Sequence, residues 1–108
     1  MPSVSDSAIS NLYKSFSGFI DTIKSYDDSI YFWIQGGALR RSIDGSLEFK
    51  SSETWYWDKD VDIHVPDEEN YNKFVDIITN KMGFRQAKEY HWNVYYSMLG
   101  FYSSRGSL

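Results

Sequence analysis

Near the start of the chain the apolar residues Ile9, Leu12, Tyr13, Phe16, Phe19, Ile20 and Ile23 return at steps of three and four. That spacing lines one face of an α-helix and predicts a helix over Ser7–Tyr26, capped by Asp6 or Ser7 and ended by the polar run Asp27-Asp28-Ser29. The pattern then changes. Ile30-Tyr31-Phe32-Trp33-Ile34 is β-branched and aromatic and predicts a buried strand that runs straight into Gln35-Gly36-Gly37. Ala38–Ile43 suits one or two helical turns closed by Asp44-Gly45, and Ser46–Tyr56 is polar without a period, so it reads as a loop or mobile insertion.

Alternation is strictest at Asp60-Val61-Asp62-Ile63-His64-Val65, which puts Val61, Ile63 and Val65 on one face of a strand and Asp60, Asp62 and His64 on the other. Pro66 ends that strand. Asp67 then caps a helix whose stripe is Tyr71, Phe74, Val75, Ile77 and Ile78, running to Asn80 with Gly83 beyond it. Phe84–Glu89 and Trp92–Leu99 predict an antiparallel pair joined near Tyr90-His91, and Ser103–Leu108 reads as a frayed or vector-derived tail. The order α-β-α-β-α-β-β, without an internal repeat, predicts an α+β fold, an α/β sandwich on a mixed sheet.

Composition narrows the function classes. At 108 residues the chain is read as one domain over 1–108, and 19% aromatic content predicts an aromatic core. Eleven Lys and Arg against 15 Asp and Glu leave a formal net charge of −4, which argues against binding an extended nucleic acid through counterion release. With no cysteine, a metal must be held by oxygen or imidazole ligands. The N-terminus lacks a basic and apolar leader and no apolar run reaches the roughly 18 residues of a span, so a cytoplasmic location and no membrane partner are expected.

The candidate chemistry lies where the strands end. Asp60 and Asp62 share one strand face roughly 6.6 Å apart, and two like charges at that separation favour a bound cation. Oxygen ligands select Mg²⁺ or Mn²⁺, and Mg²⁺ is typically held by one or two carboxylates together with substrate phosphates and water. Gly36-Gly37, lacking Cβ atoms and opening a short helix, could admit anionic oxygens, with Arg40 and Arg41 adding positive charge. Each piece alone is more often ordinary: a solvated sheet face, a tight turn, a solvated helix face. Their conjunction carries the reading. His64 and His91 read as a strand and a turn histidine. The tryptophans Trp33, Trp55, Trp57 and Trp92 read as core or rim, with Trp55 and Trp57, which flank the acidic run, as candidates to stack on a base.

Gly36-Gly37-Ala38-Leu39-Arg40-Arg41 followed by Asp60-Val61-Asp62-Ile63 resembles the signature of the nucleotidyltransferase superfamily, which includes DNA polymerase β, minimal nucleotidyltransferases and LicD-type phosphotransferases. The resemblance covers about Tyr31 to Ile78, and Trp57-Asp58-Lys59-Asp60-Val61-Asp62 is similar to the tryptophan-acid run of the LicD branch. It implies a nucleoside triphosphate as substrate, Gly36 and Gly37 against phosphate, Asp60 and Asp62 as catalytic ligands of Mg²⁺, and transfer of a nucleotidyl group to a hydroxyl acceptor.

The family usually adds a third carboxylate from a later strand. Trp92–Leu99 carries none, Asn93 is a poor substitute, and Glu89 has no register argument. The domain is therefore either cut short before that strand at its C-terminus, or a catalytically inactive relative that binds or inhibits a protein partner. An open edge left by the terminal strands could also pair with a second copy as a homodimer.

Overall fold

The computed structural model describes residues 5–50, 55–87, 93–97 and 104–107. The first helix, α1 (Asp6–Tyr26), begins earlier than expected because Ser5, in an extended conformation, takes the N-cap: its Oγ accepts from the Ala8 N–H at 3.1 Å. Asp6 in the first turn and Lys24 in the last complement the helix dipole, and Lys24 Nζ donates to the Ile30 carbonyl at 3.0 Å. Only part of the predicted stripe enters the core. Phe16, Phe19 and Ile23 are buried, whereas Ile9 and Tyr13 remain 55% and 69% exposed. With Leu12, Ile20, Phe32 and Ile34 these outer residues line a groove of about 580 Å³.

Strand β1 (Trp33–Gln35) is shorter than predicted over Ile30–Ile34, and it is not buried. Ile30 does enter the core, but the Tyr31 N–H is taken by Asn70 Oδ1 at 2.9 Å, so the run cannot join a ladder there. Helix α2 (Gly37–Ile43) follows as expected and closes through Asp44 and Gly45, the latter at φ +76°.

The stretch read as a loop holds an antiparallel pair, β2 (Phe49–Lys50) and β3 (Tyr56–Trp57). Its cause is a single cross-strand aromatic pair: Phe49 faces Trp57 in register, with ring centroids 5.0 Å apart. So short a pair leaves no alternation for the sequence to display.

Strand β4 (Val61–His64) bears out the alternation, with Val61 and Ile63 buried and Asp62 and His64 partly exposed. Helix α3 (Glu68–Asn80) starts where Pro66 and Asp67 predicted, Asp67 accepting from the Asn70 N–H at 2.8 Å. Strands β5 (Phe84–Ala87) and β6 (Asn93–Ser97) pair antiparallel as expected. Their connection, with Glu89, His91 and Trp92, lies outside the described residues.

The predicted tail is a strand, β7 (Ser104–Ser107), seated between β4, to which it runs parallel, and β6, to which it runs antiparallel. Ser-Arg-Gly-Ser has little strand propensity, and only its two neighbours hold it extended. The five-stranded sheet therefore runs β1-β4-β7-β6-β5, and β2, β3 and β7 extend the predicted element order. The fold is α+β, and no helix among the described residues is long and apolar enough to cross a membrane.

The core joins Phe16, Phe19 and Ile23 of α1, Phe74, Ile77 and Ile78 of α3, and Val61, Ile63 and Val65 from the sheet. Trp57, 1% exposed, is its largest fully buried side chain, and its Nε1–H donates to the Ser15 carbonyl at 2.9 Å. The aromatic core predicted from composition thus has Trp57 of β3 as its largest member.

Candidate functional site

The candidate site forms where β1 turns into α2 beside β4. The turn needs a glycine: Gly36 has φ +83° and ψ −158°, a region essentially closed to residues with a Cβ, and its carbonyl accepts the Arg40 N–H at 3.2 Å to begin the helix. Antiparallel register places Gln35 opposite Asp62. The Asp62 carboxylate consequently lies against Gly36, so closely that a methyl group there would sit 2.5 Å from Asp62 Oδ2. Gly37 has ordinary helical geometry, and its missing Cβ matters for a different reason. The aliphatic stem of Lys59 lies over it and brings the ammonium group to the same bend. A carboxylate and an ammonium group thus converge on two adjacent glycines. The sequence reading required both Asp60 and Asp62 to meet the diglycine bend; the contact described is that of Asp62.

Asp60 is partly buried, immediately before β4 and two residues from Asp62. Among the described residues no three His, Asp or Glu side chains gather as a ligand set, so a cation held here by Asp62, alone or with Asp60, would take most of its shell from phosphate oxygens and water. The space where Cβ atoms would stand at Gly36 and Gly37 is taken by the Asp62 carboxylate and the Lys59 stem, so what the two glycines admit to the bend is these two side chains. The two mapped cavities lie elsewhere: the groove beside α1 and a hollow of about 270 Å³ lined by residues such as Asn11, Ser15 and Ser42. The site is a surface bend.

The structure separates the two arginines grouped by the sequence. Arg41 is held by Asp58, with Nη2 2.8 Å from Oδ2, and it also donates to the Ser46 carbonyl at 3.0 Å. Asp58 Oδ1 in turn accepts the Glu48 N–H at 3.0 Å, so this ion pair ties the 46–58 insertion to α2. Arg40 is exposed and has no carboxylate partner among the described residues.

Partial desolvation pushes the Asp58 carboxyl up, but the Glu48 N–H and Arg41 outweigh it and hold it below the ordinary 3.8. A carboxylate lowered on folding stabilises the fold above its unfolded value, and that contribution is lost as pH falls through the folded value. Thermal melts should therefore show an acid limb beginning below about pH 4. The Asp58→Asn variant should melt lower at pH 7 and show a shallower limb. Superimposable wild-type and variant limbs would exclude this pair as a tether.

Trp57 is corrected from base-stacking candidate to core residue. Trp55 is partly buried, its ring edge-on to Phe19 at 5.7 Å and stacked beside Trp57 at 6.4 Å. The exposed tryptophan beside the site is Trp33, stacked on His64 with centroids 4.3 Å apart. Sequence reasoning did not place Lys59 at the bend, and it read Trp33 as core or rim. The position of Lys59 directly before Asp-x-Asp was the available signal; for Trp33 it was the two-residue spacing from Gln35. Comparison of the chain with protein-family models, with curated proteins and with solved structures finds no match.

Proposed function

We propose that this chain is a nucleotidyltransferase-like domain that binds a nucleoside triphosphate with Mg²⁺ at the bend between β1 and α2. The observation that carries this reading is the Asp62 carboxylate seated against Gly36 with Lys59 lying over Gly37. Gly36 and Gly37, lacking Cβ atoms, admit the Asp62 carboxylate and the Lys59 stem to the bend, where their charged ends meet cation and phosphate. Lys59 and the exposed Arg40 offset phosphate charge, and Asp60 and Asp62 hold the cation. When bound, Mg²⁺ supplies charge neutralisation on the transferring phosphoryl group and activation of the attacking hydroxyl. The protein positions the α-phosphate for that hydroxyl and releases pyrophosphate.

One observation favours a second reading, a non-catalytic relative that docks a protein partner. Neither strand flanking β4 contributes a third acid, since β1 is Trp-Ile-Gln and β7 is Ser-Arg-Gly-Ser. The exposed Ile9 and Tyr13 of α1 supply apolar surface for such a role.

Melting curves with Mg²⁺ and each of ATP, CTP, GTP and UTP test binding. A triphosphate present at a hundred times its dissociation constant should stabilise by about 2.7 kcal/mol, a rise of roughly 10 °C or more. The double variant Asp60→Asn, Asp62→Asn should abolish the rise. No shift with any triphosphate overturns the proposal, while release of labelled pyrophosphate separates enzyme from inactive relative.

A further inference from the structure

Beside the diglycine bend the same sheet face carries an aromatic shelf. Register pairs Trp33 with His64 and Gln35 with Asp62, so these four positions form a square on one face of β1 and β4. The imidazole of His64 stacks on the indole at 4.3 Å and 28°, and Tyr31 meets the same indole edge-on at 5.8 Å. Even so, Trp33 stays 41% exposed and Tyr31 60% exposed. Burying large aromatic surface is a main source of folding free energy, so a tryptophan ordered by neighbours yet left open to solvent is available to a ligand.

The indole is also aimed. Its Nε1–H donates to Gln35 Oε1 at 3.0 Å, which ties the ring to the residue paired with Asp62. Trp33 and Gln35 are two residues apart along the strand, roughly 6.6 Å. Register thus sets the indole on the same sheet face as Asp62, one side-chain repeat along the strand from it.

We infer that Trp33, steadied by His64, Tyr31 and Gln35, is the platform on which the nucleobase of the triphosphate stacks. The inference rests on the phosphate and cation site proposed above and names its second half. Stacking of this kind tolerates any base, because every base has a π face. The shelf therefore recognises that a base is present more strongly than which base it is.

Titration with Mg²⁺ and either ATP or inorganic tripolyphosphate separates the two halves, because tripolyphosphate has no base. Trp33→Ala should weaken ATP about tenfold and leave tripolyphosphate unchanged, and Trp33→Phe should recover most of the lost affinity. Asp62→Asn should weaken both ligands. Unchanged ATP affinity in Trp33→Ala, with loss in Asp62→Asn, overturns the platform and leaves the phosphate site standing. Equal weakening of ATP and tripolyphosphate in Trp33→Ala also overturns it, since the indole would then only support the fold. If the wild-type chain binds neither ligand, both proposals fall. Far-UV circular dichroism of each variant checks folding, and Trp33→Leu, which keeps apolar bulk without a π face and should lose ATP affinity alone, takes the place of the alanine variant should that one unfold.

Discussion

Replacing Trp57 with alanine is expected to cost about 3–5 kcal/mol of folding stability, near the upper end for a single substitution. The indole fills the space where α1, the 46–58 insertion and the sheet meet. Phe19 packs edge-on against it at 5.3 Å, and Phe16 and Phe49 stack beside it at 6.1 Å and 5.0 Å. Removal leaves a cavity that these rings can only partly close, and it strips the Ser15 carbonyl of its indole donor. Domains of this size are stable by only about 5–15 kcal/mol, so the variant should melt roughly 12 °C lower or more, or fail to fold. Trp57→Phe keeps an aromatic ring in the cluster and loses chiefly the hydrogen bond and some volume, for about 1–2 kcal/mol. Urea denaturation measures both. A cost under 1 kcal/mol for the alanine variant would mean that the insertion is not part of the core.

The second large effect belongs to Gly36→Ala, which should act on both stability and ligand response. An alanine at φ +83° and ψ −158° is strained by about 1–3 kcal/mol, and its methyl group must displace the Asp62 carboxylate that stands 2.5 Å away. The rise in melting temperature with Mg²⁺ and a triphosphate should then disappear. Gly83→Ala is the matched control: Gly83 has φ +79°, but a methyl group there meets nothing within 4 Å. That variant should lose stability through backbone strain alone and keep its ligand response. If Gly36→Ala also keeps the response, contact between Asp62 and the bend has no part in binding. Gly37→Ala should be mild for stability, because the backbone there is already helical and only the flexible Lys59 side chain has to move, but that movement should weaken the ligand response.

Much of the site could be read locally. The period-two pattern of residues 60–65 announced a strand with Asp60 and Asp62 on its polar side, and burial of Val61, Ile63 and Val65 agrees. Gly36-Gly37 after an aromatic run announced a sharp exit from a strand. Arg41 could not be separated from Arg40 in this way, because its pairing with Asp58 spans 17 residues and depends on how the insertion folds back. Nor could the burial of Trp57 and Trp33 be read: Trp57 follows a stretch read as a loop and Trp33 lies in a run read as a buried strand, yet the first is 1% exposed and the second 41%.

What the sequence determined by itself is what short-range physics controls: the helices from their apolar spacing and caps, the alternating strand, and the turns whose dihedral angles demand glycine. The tertiary structure alone decided which strands are neighbours. Ser104–Ser107 becomes an inner strand only because β4 and β6 offer backbone partners on both sides, and β1 lies at an edge because nothing beyond it completes the ladder among the described residues. Strand pairing joins residues far apart in the chain through backbone groups that every residue shares, so side-chain pattern carries little record of it. The meeting of Asp62 with Gly36, and of Trp33 with His64, follows from that pairing.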